Sequence, residues 1–158
     1  MKKITSPIAK FANNHKVLTS ILAIIICLML ITQIERGISA YKFNKEHPLA
    51  GKVYKAVEYS TDGTKENDGY YVFGTGDDKD QVIHVSSKSL VEMSKTVSSY
   101  DHLPNDKDIR LSTYKLKDNK LYLNGKRAFT KHDKQFKNEF FYDGELDSTY
   151  VLTPVKIN

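Results

Sequence analysis

Residues 109–130 read IRLSTYKLKDNKLYLNGKRAFT, and this stretch decides the fold class. Asn124-Gly125 lies between two β-rich runs, Leu121-Tyr122-Leu123 before it and Lys126 to Thr130 after it. A two-residue type I′ turn needs positive φ at both central positions, which Asn and Gly tolerate, so the chain is expected to reverse there. Asp118-Asn119 marks another reversal just upstream, after a strand from Ile109 to Lys117. Within that strand the apolar residues change parity, from Ile109 and Leu111 to Tyr114 and Leu116, which predicts a bulge near Ser112-Thr113.

The same pattern extends outward. Lys52 to Tyr59 (KVYKAVEY) is the first strand, with Val53, Val57 and Tyr59 on one face. Tyr70 to Phe73 (YYVF) and Gln81 to Val85 (QVIHV) are the second and third, joined by a tight turn over Gly74 to Asp80. Residues 89–100 (SLVEMSKTVSSY) break the alternation. There Ser89 and Glu92 match a capping box, and Leu90, Met93 and Val97 recur at helical spacing. One short helix is expected, ending before Pro104, with its apolar stripe over one side of the sheet. Gln135 to Tyr142 and Ser148 to Val155 supply the last strands, joined through Asp143-Gly144. Seven or eight short strands and one helix predict a mainly β domain over 49–158, a small antiparallel barrel or sandwich with an aromatic core.

A different segment precedes it. Val17 to Ile34 reads VLTSILAIIICLMLITQI and carries no charge. Eighteen helical residues cover roughly 27 Å, close to the ~30 Å hydrocarbon layer of a bilayer. A buried core helix is the rival reading, but the remaining chain is too short to wrap such a helix on all sides. Lys2, Lys3, Lys10, Lys16 and the α-amino group flank its start, against Arg36, Lys42 and Lys45 after its end. That bias places 1–16 in the cytoplasm and the β-domain outside the cell membrane. Ser39 to Pro48 lacks a period, so 35–48 reads as a linker. Ile38-Ser39-Ala40 offers a cleavage site, but a removable signal has an apolar region of only ~7–15 residues, which favours a retained anchor.

Composition narrows the function classes. The net charge is +5, but most of it lies in the first 40 residues, where five bases face Glu35 alone. The nearly neutral remainder lacks the broad positive field that nucleic-acid binding needs, so no nucleic-acid partner is expected. The single cysteine, Cys27, excludes an intramolecular disulfide and a cysteine-only metal site. Cys27 follows Ile24-Ile25-Ile26 rather than a small residue, which argues against lipid attachment.

Leu49-x-Gly-Lys-x-Tyr54, Lys120-Leu-Tyr-Leu-Asn-Gly125 and Asp143-Gly-Glu-Leu146 through Leu152 together resemble small extracytoplasmic proteins of low-GC Gram-positive bacteria. Many of those are lipoproteins with lipocalin-like barrels and no assigned activity. The resemblance implies a barrel over most of 49–156; its motifs are turn and strand signatures rather than site chemistry, and Cys27 departs from the lipoprotein pattern.

Candidate chemistry is sparse. Gly74-Thr75-Gly76-Asp77-Asp78-Lys79 resembles a phosphate-binding loop, but such a loop must feed a helix and this one feeds a strand, so it reads as a hairpin turn. Asp77, Asp78 and Asp80 offer hard oxygens to Ca²⁺ without the EF-hand spacing. The five histidines show no zinc-protease spacing. Asp101-His102 and His132-Asp133 set a carboxylate beside an imidazole, but neighbours on a strand point to opposite faces. With no nucleophile elbow and no extracytoplasmic cysteine, an enzyme is not expected and no cofactor is implied.

Charge distribution is the suggestive feature. Residues 57–80 are acidic and 106–137 strongly basic. The two sets either pair with each other or leave a basic surface, centred on Lys126, Arg127 and Lys131, for anionic headgroups or wall polymers. The expected function is a single-pass membrane-anchored binding or interaction module, held in the bilayer by 17–34. Its partner would be an envelope protein, an anionic polymer or an incoming agent, as for phage-exclusion or immunity proteins. A small-ligand-carrying barrel with a tyrosine-lined cavity is the alternative, and a small hydrolase built on His102 or His132 comes last.

Overall fold

The computed structural model describes residues 16–60, 62–132, 139–142 and 149–156. The turn at Asp143-Gly144, the His132–Asp133 pair and the N-terminal lysines before Lys16 lie outside the described residues or side chains. The chain divides into two compact units, Met1–Lys45 and Glu46–Asn158.

Among its described residues the first unit is one helix, α1, Lys16–Glu46. Its apolar stretch is long enough to cross a membrane, and none of it is buried. Ile24, Ile25, Ile26 and Ile34, which point in four different directions at about 100° per residue, are all exposed, so the apolar surface runs all the way round. A helix apolar on every side suits lipid rather than a half-buried seat on a protein. The expected linker over 35–48 is helical through Glu46. Between Ile34 and Pro48 the only breaker is Gly37, which weakens a helix by about 1 kcal/mol without ending it. Pro48 does end it, because its ring disfavours helical geometry at His47.

The second unit is a closed barrel of eight antiparallel strands in sequence order. They are β1 (Val53–Tyr59), β2 (Lys65–Phe73), β3 (Gln81–Val85), β4 (Ile109–Lys117), β5 (Lys120–Leu123), β6 (Lys126–His132), β7 (Glu139–Tyr142) and β8 (Thr149–Val155). β1 closes the ring on β8, from Val53 opposite Val155 to Tyr59 opposite Thr149. Closure leaves no strand edge to pair with another chain. Asp118 and Asn119 (φ 49° and 63°) and Asn124 and Gly125 (φ 49° and 78°) all have positive φ, as two-residue type I′ turns require. Asn124 also ties its hairpin to β4, accepting from the Thr113 N–H at 2.9 Å and donating to Ser112 Oγ at 3.2 Å.

No bulge occurs at Ser112-Thr113. β4 runs in unbroken register along β3, from Val85 opposite Ile109 to Gln81 opposite Thr113. The parity change has another cause: the strand buries opposite faces in its two halves. Ile109 packs outward under a helix, and Tyr114 and Leu116 pack inward. The register shifts fall elsewhere, one leaving Asp68 of β2 unmatched between Ala56 and Val57 of β1, the other leaving Ala128 of β6 unmatched opposite Leu121 and Tyr122.

That covering helix is α2, Lys88–Thr96, packed on β2 and β3. Its N-cap is Ser87, whose hydroxyl accepts from the Leu90 N–H at 3.4 Å. The capping box expected at Ser89 and Glu92 does not form; Ser89 bonds to Ser87 Oγ, and Glu92 pairs with Lys95 at 3.7 Å. With the cap two residues earlier, the buried face centres on Val91 and Ser94, while Leu90 and Val97 flank it. The Leu90–Met93–Val97 stripe is therefore displaced sideways.

Two apolar layers result. Inside the barrel, Tyr54, Phe73, Leu121, Phe129, Phe140 and Leu152 form the main core. Outside it, Val53, Val72, Ile83 and Val85 form a second layer with Val91 and Tyr100. The lumen is filled by rings meeting near edge-on: Tyr114 on Phe73 (4.7 Å between centroids), Phe73 on Tyr54 (5.7 Å) and Tyr54 on Phe140 (5.4 Å). Val53 and Val57 of β1 are both buried, but the lumen side of that strand is Tyr54 and Ala56.

Candidate functional site

The barrel wall sorts the basic residues by strand parity. On β4, Tyr114 and Leu116 face the lumen, so Lys115 and Lys117 point outward. Cross-strand partners share a face. Lys115 stands opposite Tyr122, and Tyr122 opposite Arg127, making one row across β4, β5 and β6. Lys117, Lys120 and Thr130 make the next row. Four cations thus surround one tyrosine on an outward-facing wall. A depression of about 360 Å³ opens there, lined by Thr113, Tyr114, Lys115, Lys117, Tyr122 and Gly125. Arg127 Nη2 donates to Thr130 Oγ1 at 3.2 Å, which holds its guanidinium against the wall.

The expected trio is not one patch. Arg127 belongs to the outer row, but Lys126 stands opposite Leu123 and Lys131 opposite Phe140, both residues of the lumen side. Lys126 and Lys131 also lie about 16 Å apart along the strand. Sequence reasoning counted Lys115, Lys117 and Lys120 in the basic run over 106–137 without singling them out. The usable signal was the alternation of Lys115 and Lys117 with Tyr114 and Leu116, which assigns their side of the wall before any fold is known.

The acidic set lies apart, on β1 and β2 and in the connections that follow them. Glu58 stands opposite both Glu66 and Tyr150, on the lumen side at one mouth of the barrel. At that mouth a polar network surrounds the unmatched Asp68. The Tyr150 hydroxyl donates to its carboxylate, and His84 Nε2 donates to its backbone carbonyl at 2.8 Å. His84 also stacks on Tyr71, with centroids 4.8 Å apart. Gly69 has φ +113°, and a Cβ there would overlap the Val85 carbonyl, so the bulge needs that glycine. Burial raises the pKa of the Tyr150 hydroxyl, and its bond to the Asp68 carboxylate raises it further. Burial likewise raises Tyr71. Both phenols therefore remain protonated donors at neutral pH. The network closes on itself and pins the bulge; His84 is a partly buried structural histidine.

The remaining candidates do not converge. Gly74 to Asp80 is the β2–β3 connection, with a short 3₁₀ turn at Gly76–Asp78. Asp78 is buried and accepts from Ser99 Oγ at 3.1 Å and from the Tyr100 N–H at 2.8 Å, whereas Asp80 pairs with His47 at 3.2 Å. Their carboxylates thus point to different partners, and no trio of His, Cys, Asp or Glu among the described residues could hold a metal. His102 shares a hydrogen bond with Ser98 Oγ at 3.0 Å on an exposed turn. Among the described residues one buried hydroxyl is left over: Tyr114 Oη has no hydrogen-bond partner there, and burial, helped by Asp80, pushes its pKa up to about 12.

No protein-family model matches this chain, and neither the curated proteins nor the solved structures contain a detectable match.

Proposed function

We propose that the protein is a single-pass membrane-anchored binding module whose barrel presents the outer wall of β4–β6 to an anionic polymer of the cell envelope. The observation that carries this reading is the paired rows Lys115–Tyr122–Arg127 and Lys117–Lys120–Thr130, four cations and an aromatic ring on one face. A rigid β-wall fixes the spacing of these charges, and a repeating polyanion meets several at once. The ring-filled lumen supports a surface function over a carrier function. The apolar helix supports anchoring, and the lysine-rich N-terminal flank supports an outward-facing barrel. Twelve further helical residues, Glu35 to Glu46, extend about 18 Å beyond the uncharged stretch.

The test is a quadruple variant, Lys115→Gln, Lys117→Gln, Lys120→Gln and Arg127→Gln, compared with Lys126→Gln/Lys131→Gln. Binding of the full chain to purified teichoic acid is measured at two salt concentrations. The quadruple variant should lose binding and its salt dependence, and the double variant should keep most of both. Equal binding by quadruple variant and parent, with unchanged melting behaviour, would reject the assignment.

A further inference from the structure

On the opposite side of the barrel, where β1 meets β8, a second depression of about 400 Å³ is lined by Gly51, Lys52, Val53, Lys95, Pro154 and Lys156, among others. It shares Gly51, Val53 and Lys95 with a deeper arm of about 190 Å³ that runs beneath the end of α2. Thr75, Asp78, Ser94 and Ser98 line that arm. The two halves have opposite chemistry. Lys52, Lys95 and Lys156 line the outer half together with Val53 and Pro154, so it attracts anions. Lys95 pairs with Glu92 at 3.7 Å, and an exposed pair of that kind is weak.

The inner arm is rich in acceptors. Asp78 is 7% exposed, and each of its oxygens receives one internal hydrogen bond, which leaves further lone pairs. Ser94 spends its proton on the Val91 carbonyl at 2.7 Å and can only accept from a guest. Such a lining repels a second anion and welcomes hydroxyl donors. The arm is also rigidly framed. Gly74 has the Asp78 backbone where a Cβ would stand, and Gly51 at φ +71° lies against the Thr75 methyl.

The geometry points to a binding site for a phosphate ester of a small polyol, with the phosphate among Lys52, Lys95 and Lys156 and the hydroxyls directed at Asp78 and Ser94. This site is separate from the β4–β6 wall and stands or falls independently of it. Isotope-labelled full-length protein in nanodiscs is titrated with glycerol 3-phosphate, glycerol or inorganic phosphate, and amide shifts are followed. Glycerol 3-phosphate should give saturable shifts at Gly51, Lys52, Lys95 and Lys156, with affinity on the order of tenfold or more above either fragment. Lys52→Gln/Lys156→Gln should weaken binding on the order of tenfold, the usual cost of losing charge-assisted hydrogen bonds. The quadruple β4–β6 variant should bind as the parent does. Absence of saturable shifts, shifts confined to 115–127, or glycerol binding as well as its phosphate would each overturn the proposal.

Discussion

The two halves of the barrel wall differ in what lies outside them. Over β2 and β3 the outer face is apolar and covered by α2, with Ile83 and Val85 fully buried. Over β4 to β6 the outer face is lysine, tyrosine and arginine, and Leu111 at its margin is 47% exposed. Strands buried on both sides read as near-continuous apolar runs, as YYVF and QVIHV do. Strands buried on one side read as strict alternation, as YKLK does. The wall under the covering helix buries its outer side chains, and the bare wall leaves Lys115, Lys117 and Arg127 exposed.

Four measurements test this difference between the two halves. The largest effect belongs to the layer both halves share. Phe140 is completely buried against Tyr54, and Phe140→Ala should cost about 3–5 kcal/mol in denaturant unfolding. A cost below 1 kcal/mol would mean that the lumen is not packed as described. Next comes the covering helix. Val91→Ala removes a fully buried contact with the outer layer and should cost about 2 kcal/mol, with faster amide exchange in α2 than in β4 to β6.

The third is alkaline titration. Burial pushes the Tyr54 phenol up to about 12, against an ordinary value of 10.0. Between those values the unfolded chain has shed a proton that the folded barrel retains, so stability is whole below pH 10 and declines as pH rises towards 12. The slope approaches about 1.4 kcal/mol per pH unit for each such tyrosine, and Tyr54→Phe should flatten it. The smallest effect separates satisfied from unsatisfied phenols. Tyr114→Phe removes a buried hydroxyl without a partner and should be neutral or stabilise by up to ~1 kcal/mol, whereas Tyr100→Phe loses a bond to the Val72 carbonyl and should destabilise by about the same amount.

Local chemistry announced much of this architecture. Gln81–Val85 and Ile109–Lys117 occupy the strand limits read from alternation, and Asn124-Gly125 makes the expected turn. The apolar helix was equally legible, although it runs on to Glu46 because nothing between Gly37 and Pro48 stops it. The misreadings share a cause. The supposed bulge in β4, the capping box at Ser89 and the grouping of Lys126, Arg127 and Lys131 each read from a local pattern what the tertiary neighbours of those residues decide. The Asp68–Tyr150 bond joins residues 82 apart, and no local pattern encodes it.

By itself, then, the sequence determined the lipid-compatible helix, the limits of β3 and β4 and the turns at Asp118-Asn119 and Asn124-Gly125, because these depend on hydrophobic period and on φ preferences of single residues; β2, read from Tyr70, begins at Lys65. Tertiary structure alone decided that β1 closes on β8, that α2 covers one half of the wall, and that four cations from three strands share the other. Those outcomes depend on register and on which apolar faces find each other, properties of pairs distant along the chain rather than of any residue.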